Sequence, residues 1–196
     1  MDFPVIISFY TANTPYQLEV QNLIASCEKF GLEVAIEGVE SFGSWELNCA
    51  YKPFFILQKL EELNQPLLWV DADGVFARAP TWQAAFEADL AVRMDEGLAA
   101  DHPSKVISST VFVRPSEAGK RLVREWIGKC HEILLDPARK EEFWDQIALR
   151  EAIAKNRARV APMPLSYAKI FDHPGDCATV ENPVIEHFQA SRRFKQ

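Results

Sequence analysis

Within its first 76 residues this chain alternates short β-rich apolar runs with helical stretches, and that alternation limits the fold more than any other feature. Val5 to Tyr10 (VIISFY) is a buried-strand pattern closed by the turn residues of TANTPY. Tyr16 to Phe30 spaces Leu18, Leu23, Ile24 and Cys27 near helical period, and Gly31 follows as a C-cap. Leu32 to Ile36 reads as a second strand. Gly38 to Tyr51 reads as a surface loop, and Pro53 as the first turn of a second helix that Pro66 ends. Leu67 to Val70 (LLWV) is the third strand and runs into Asp71, Ala72, Asp73 and Gly74. A β-α-β-α-β series predicts an α/β fold, with a mainly parallel central sheet flanked by helices and joined by right-handed crossovers.

Downstream the same logic continues less regularly. Asp89 to Arg93 and Val106 to Arg114 read as strands around the polar loop MDEGLAADHPSK. SEAGKRLVREWIGKCHEIL and EEFWDQIALREAIAKN read as helices, and the proline-bearing remainder as loop with short strands. There is no internal repeat or low-complexity linker. A chain of 196 residues holds one full core, so residues 1–196 are expected to form a single domain.

The two aspartates raise the functional question, because an acid at a core edge is costly unless something pairs with it. In open α/β sheets ligands collect beyond the carboxyl ends of strands, which is where Asp71 and Asp73 fall. At i and i+2 on a strand they point to opposite faces, so both address one ligand only if the backbone turns between them. Gly74 makes that turn plausible. Paired carboxylates suit a hard divalent cation such as Mg²⁺ or Mn²⁺ on a diphosphate. On spacing alone a solvated turn, a phosphatase nucleophile and a metal clamp all remain open.

Other classes have little support. A net charge of −7 is a poor footing for nucleic-acid binding. Cys27, Cys49, Cys130 and Cys177 form no CxxC pair, which removes zinc-finger and thioredoxin readings and suits reduced thiols. The N-terminus lacks the marks of a signal peptide, and no apolar run reaches the ~18–20 residues of a membrane span. A cytoplasmic, soluble protein is expected.

In sequence order, SFYTANTPYQLE, GSWELNCAYKP, LLWVDADGVF, SSTVFVRPS, FWDQIAL and VIEHFQASRRFK resemble the segments of GT-A glycosyltransferases, and specifically of the small bacterial nucleotide-diphospho-sugar transferases. The resemblance runs along most of the chain and implies a GT-A fold and a UDP- or GDP-sugar donor with a hexosyl-type transfer to an unknown acceptor. It implies that Asp73 ligates Mn²⁺ or Mg²⁺, that Asp71 binds the metal or the donor ribose, and that His187 completes the metal's protein ligands. Lys52, Arg192, Arg193 and Lys195 would face the diphosphate. Phe9, Tyr10 and Thr11 would hold the base, and Ser108 and Ser109 the donor sugar. Asp145 and Gln146, with Trp144 beside them, would face the sugar or acceptor, and Asp95, Glu96 or Asp145 would serve if a base is needed. The chain is short for such an enzyme, so the acceptor site is expected to be shallow or shared with a partner. Two rivals stand beside this reading. One is a haloacid-dehalogenase-like phosphohydrolase with Asp71 as nucleophile. The other is a non-catalytic nucleotide-sugar-binding domain.

Overall fold

The structure is a computed structural model, and it describes residues 3–138 and 143–194. Its first half follows the alternation: β1 (Val5–Thr11), α1 (Tyr16–Lys29), β2 (Val34–Val39), α2 (Trp45–Leu63) and β3 (Leu67–Val70). After a turn come β4 (Gly74–Phe76), β5 (Leu90–Met94), β6 (Val106–Val113), α3 (Glu117–Leu135) and α4 (Asp145–Lys155). The last part holds β7 (Val160–Pro162), β8 (Lys169–Ile170), α5 (Pro174–Thr179), β9 (Ile185–His187) and α6 (Ser191–Phe194).

Six strands form the central sheet in the order β2-β1-β3-β6-β5-β7. The pairs β1/β2, β1/β3 and β5/β7 are parallel, whereas β6 runs antiparallel to both β3 and β5. The sheet is therefore mostly parallel, with one reversed strand. Its period-2 alternation sorts the core into two layers. Ile7, Trp69 and Val111 point toward α2, α3 and α4, while Ile6, Leu68 and Phe112 pack with α1 on the opposite face. A second, three-stranded sheet, β4-β9-β8, covers that opposite face beside α1.

Local chemistry explains most element ends. Gly31 at φ 63 closes α1, with the Leu32 N–H donating to the Cys27 carbonyl at 3.0 Å. The second helix departs from expectation by starting at Trp45 rather than at Pro53, so much of the expected loop is helical. Ser44 is the reason: in extended conformation, its side chain accepts from the Leu47 N–H at 3.2 Å. Pro53 then sits inside the helix, and Lys52 becomes an inward-facing mid-helix residue, 6% exposed. The fourth helix starts at Asp145, later than expected, because Trp144 before it is extended; Glu141 and Glu142 lie outside the described residues. At the first turn the Asp145 carboxylate meets the positive end of the helix dipole, which accounts for an acid there.

One buried ion pair ties the two sheets together. Arg93 of β5 grips Asp176 of α5 with Nη1 to Oδ2 at 2.5 Å and Nη2 to Oδ1 at 2.8 Å, and Asp176 also accepts from the Ile170 N–H at 2.8 Å. Burial opposes the Asp176 charge, but the arginine and the backbone donor outweigh it and hold the carboxyl below its usual range. A depressed folded pKa means that this stabilisation is complete above about 3.9 and is lost as pH falls through the folded value. Replacing Asp176 with Ala strands a buried guanidinium and is expected to cost about 3–5 kcal/mol at neutral pH, read from urea unfolding. Part of the acid-side loss of stability should vanish in the same variant.

Candidate active site

The chain reverses between β3 and β4. Asp71 accepts from the Gly74 N–H at 2.7 Å, which closes a turn over Ala72 and Asp73. The turn cancels the strand alternation, and both carboxylates reach the same cleft, about 600 Å³ in volume. Glycine is needed at the fourth position because a Cβ there would lie 2.5 Å from Val70 Cγ1 and 3.0 Å from His187 Cε1.

At the cleft floor one cation sits among acids. Lys52 Nζ lies 2.9 Å from Asp71 Oδ1 and 3.1 Å from Asp145 Oδ2, and donates to the Ser108 carbonyl and hydroxyl at 3.3 Å each. Ser108 in turn donates to Asp145 Oδ2 at 2.7 Å. Burial works against the lysine charge, but Asp145 and Asp71 outweigh it and hold its pKa above the usual lysine value. Asp71 Oδ1 also accepts from Trp69 Nε1 at 2.7 Å, which leaves Oδ2 for a ligand. Burial dominates at Asp71 and raises its pKa despite the lysine.

Asp73 differs from its neighbour. Burial opposes its charge too, but the His187 ring and the Ala190 N–H, 2.7 Å from Oδ2, win and lower its pKa. His187 is fully buried, with Nε2 2.8 Å from the Thr110 hydroxyl. Its Nδ1 has no hydrogen-bond partner and lies 3.7 Å from Asp73 Oδ1. An orphaned imidazole nitrogen facing a carboxylate oxygen is a donor pair that suits Mn²⁺ or Mg²⁺. Among the described residues no group of three or more His, Cys, Asp or Glu side chains is gathered to hold a metal, so such an ion would take its other ligands from phosphate and water.

Most of the residues singled out from the sequence line this cleft: Phe9, Tyr10 and Thr11 at the end of β1, Ser109 on β6, Asp95 after β5, and Trp144 with Gln146 beside Asp145. Their surroundings differ. Phe9 is packed among Tyr51, Phe55 and Trp69, with centroids 5.2, 5.6 and 5.3 Å away, so it is largely a core aromatic. Tyr10 lies over Gly38, where a Cβ would come within 3.0 Å of the phenol ring. The Thr11 hydroxyl is engaged with Thr14 at 2.8 Å, whereas Ser109 Oγ is buried without a partner.

Arg192 stands at the rim, paired with Asp172 at 2.5 Å, and Arg193 pairs with Glu19 at 2.9 Å. His187 is fully buried and reaches the cleft only through its contact with Asp73, Glu96 is exposed and does not line the cleft, and Lys195 falls outside the described residues. Sequence reasoning missed Tyr16, Arg93, His173 and Gln189, all of which line the cleft. Tyr16 is pushed up to about 12 by burial, against a hydrogen bond to Trp45 and with help from the Asp73 charge. Only Gln189, at φ 53, sits where the backbone itself is unusual, and no local pattern announces it.

Removing the lysine tests the cluster. Its raised folded pKa means that its stabilisation is complete below about 10.4 and is lost as pH rises through the higher folded value. Lys52→Met should lose that alkaline dependence. It leaves Asp71 and Asp145 facing each other uncompensated, and about 3–5 kcal/mol of stability should go at pH 7, measured by urea unfolding.

Comparison with known proteins comes down to one family. A family model described as nucleotide-diphospho-sugar transferase matches residues 52–192. Among solved structures, a glycosyltransferase involved in the glycosylation of the major capsid of PBCV-1 is similar over 97% of this chain and 96% of its own, with TM-score 0.69 and 13% identity. The glycosyltransferase GlyE of Streptococcus pneumoniae TIGR4 is similar over 96% of this chain and 55% of its own, with TM-score 0.60 and 12% identity. Identities at that level establish a shared fold. No curated protein matches the chain.

Proposed function

The chain belongs to the nucleotide-diphospho-sugar transferase family, and from that premise we propose that it moves a hexosyl group from a UDP- or GDP-sugar to an acceptor in a metal-dependent reaction. The observation that carries this reading is the turn at Gly74, which brings Asp71 and Asp73 into one cleft. Asp71, Asp73 and Asp145 face a single lysine there, so a diphosphate has no reason to approach unless a divalent cation neutralises the surplus negative charge.

Asp73 and His187 would hold that cation. When bound, it supplies Lewis-acid stabilisation of the charge that develops on the departing diphosphate. The rest is done by the chain's own groups. Tyr10 offers a ring face near the nucleotide end, and the unpartnered Ser109 hydroxyl offers a hydrogen bond to the sugar. Lys52 holds Asp71 and Asp145 in fixed positions, so that no side chain has to reorganise as charge develops. The family match leaves the phosphohydrolase reading without support. Among the described residues no helix is long and apolar enough to cross a membrane.

Mn²⁺ together with UDP or GDP is expected to raise the melting temperature, and Asp73→Ala to abolish the rise. Absence of any nucleotide-dependent rise with Mn²⁺ or Mg²⁺ would sink the proposal. A rise without turnover across a panel of nucleotide-sugars would leave a binding domain instead.

A further inference from the structure

Tyr10, Lys52, Asp71, Asp73 and Ser109 are the lining residues assigned to the donor and its cation. Arg93, Asp95, Leu98, Ile170 and His173 line the cleft as well. A second substrate that attacks the donor sugar has to enter the same cleft, and this is the part the donor leaves unassigned. An acceptor hydroxyl also needs a group to receive its proton.

Of the acids expected to do this, two have one oxygen engaged and one stands apart from the cleft. Asp145 is held by Lys52 and by Ser108. Asp95 Oδ1 accepts from the Gly97 N–H at 3.0 Å and closes a turn. Glu96 is exposed and does not line the cleft. His173 is different. Its Nδ1 lies 2.9 Å from Asp176 Oδ1, and two proton acceptors do not face each other at that distance, so Nδ1 carries the hydrogen. The Asp176 N–H also approaches Nδ1, at 3.3 Å, but the carboxylate contact is shorter and charge-assisted and decides the tautomer. Nε2 is left with its lone pair, makes no hydrogen bond among the described residues, and belongs to a side chain 47% exposed at the cleft. Asp176 is itself fixed by two bonds from Arg93 and one from the Ile170 N–H. The series Arg93, Asp176, His173 therefore holds one imidazole in one tautomer and one orientation, the arrangement that a histidine base requires.

We infer that His173 is the base that takes the proton from the acceptor hydroxyl, and that Asp176 is its positioning residue. The inference rests on the transferase reading. In the step, the acceptor oxygen bonds to the anomeric carbon as the bond from that carbon to the phosphate oxygen breaks. The pair of the broken bond leaves with the nucleoside diphosphate, and the hydroxyl proton passes to Nε2, where the Asp176 carboxylate stabilises the imidazolium. In this single direct displacement the acceptor attacks from the face opposite the departing diphosphate, and the sugar is inverted.

The test is His173→Asn. An asparagine amide occupies the place of Nδ1 and still donates to Asp176, but nothing replaces Nε2. With Mn²⁺ and whichever of UDP-α-glucose or GDP-α-mannose raises the melting temperature, turnover is followed with water and with azide as acceptors. Azide is already an anion and needs no base. The variant is expected to keep the melting-temperature rise, to lose about 100-fold or more of its turnover with water, and to regain turnover with azide, giving an inverted glycosyl azide by proton NMR. Wild-type turnover with water in the variant overturns the inference and leaves the transferase reading intact. Loss of the melting-temperature rise along with turnover marks His173 as structural, and a retained anomer in the azide product rejects it as the base. A wild-type protein that binds no nucleotide overturns both readings at once.

Discussion

A single buried ammonium holds the centre of this molecule together. Lys52 descends from the middle of α2 and meets Asp71 at the end of β3, Asp145 at the start of α4 and Ser108 on β6. Four elements that share no local sequence are thereby fixed to one atom. Without that charge, two acids on facing elements would repel each other, and their separation would be set by repulsion and not by packing. The same contact explains why α2 tolerates a proline. The helix has to run past Pro53 so that its neighbour Lys52 points inward, and the Ser44 cap anchors it far enough upstream to do so.

The layered fold was legible because its causes are local. Alternation in VIISFY and LLWV, helical spacing in α1 and glycine at Gly31 each act over a few residues, and the elements appear where those signals put them. Two readings failed for equally physical reasons. Pro53 looked like a helix start because proline suits a first turn, but the serine cap at Ser44 outcompeted it. Trp144 looked helical by its neighbours, but the chain stays extended until the Asp145 carboxylate, which needs both the lysine and a helix N-terminus.

The site was half legible. Asp71, Asp73 and the turn at Gly74 lie within four residues, so their joint orientation could be argued from the sequence. Arg93, Asp176 and His173 could not be connected that way. An arginine in a strand and an acid in DHPGD carry no sign of each other until β5 and α5 come together, and hydrogen bonds across 83 residues leave no periodicity to read. The His187 orphan nitrogen is of the same kind, visible only once β9 lies against β4.

The pairing of β4 with β9 has a consequence in time. Asp73 receives the Ala190 N–H across a separation of 117 residues, and Gly74 pairs with His187 in the same ladder. At about 5–20 residues per second of synthesis, the aspartate is made on the order of ten seconds before its partners. During that interval the sheet face beside α1 is uncovered and the acids of the turn have no strand beside them. A chain stalled in between would carry the turn of Asp71 and Asp73 without the strand that sets His187 beside it.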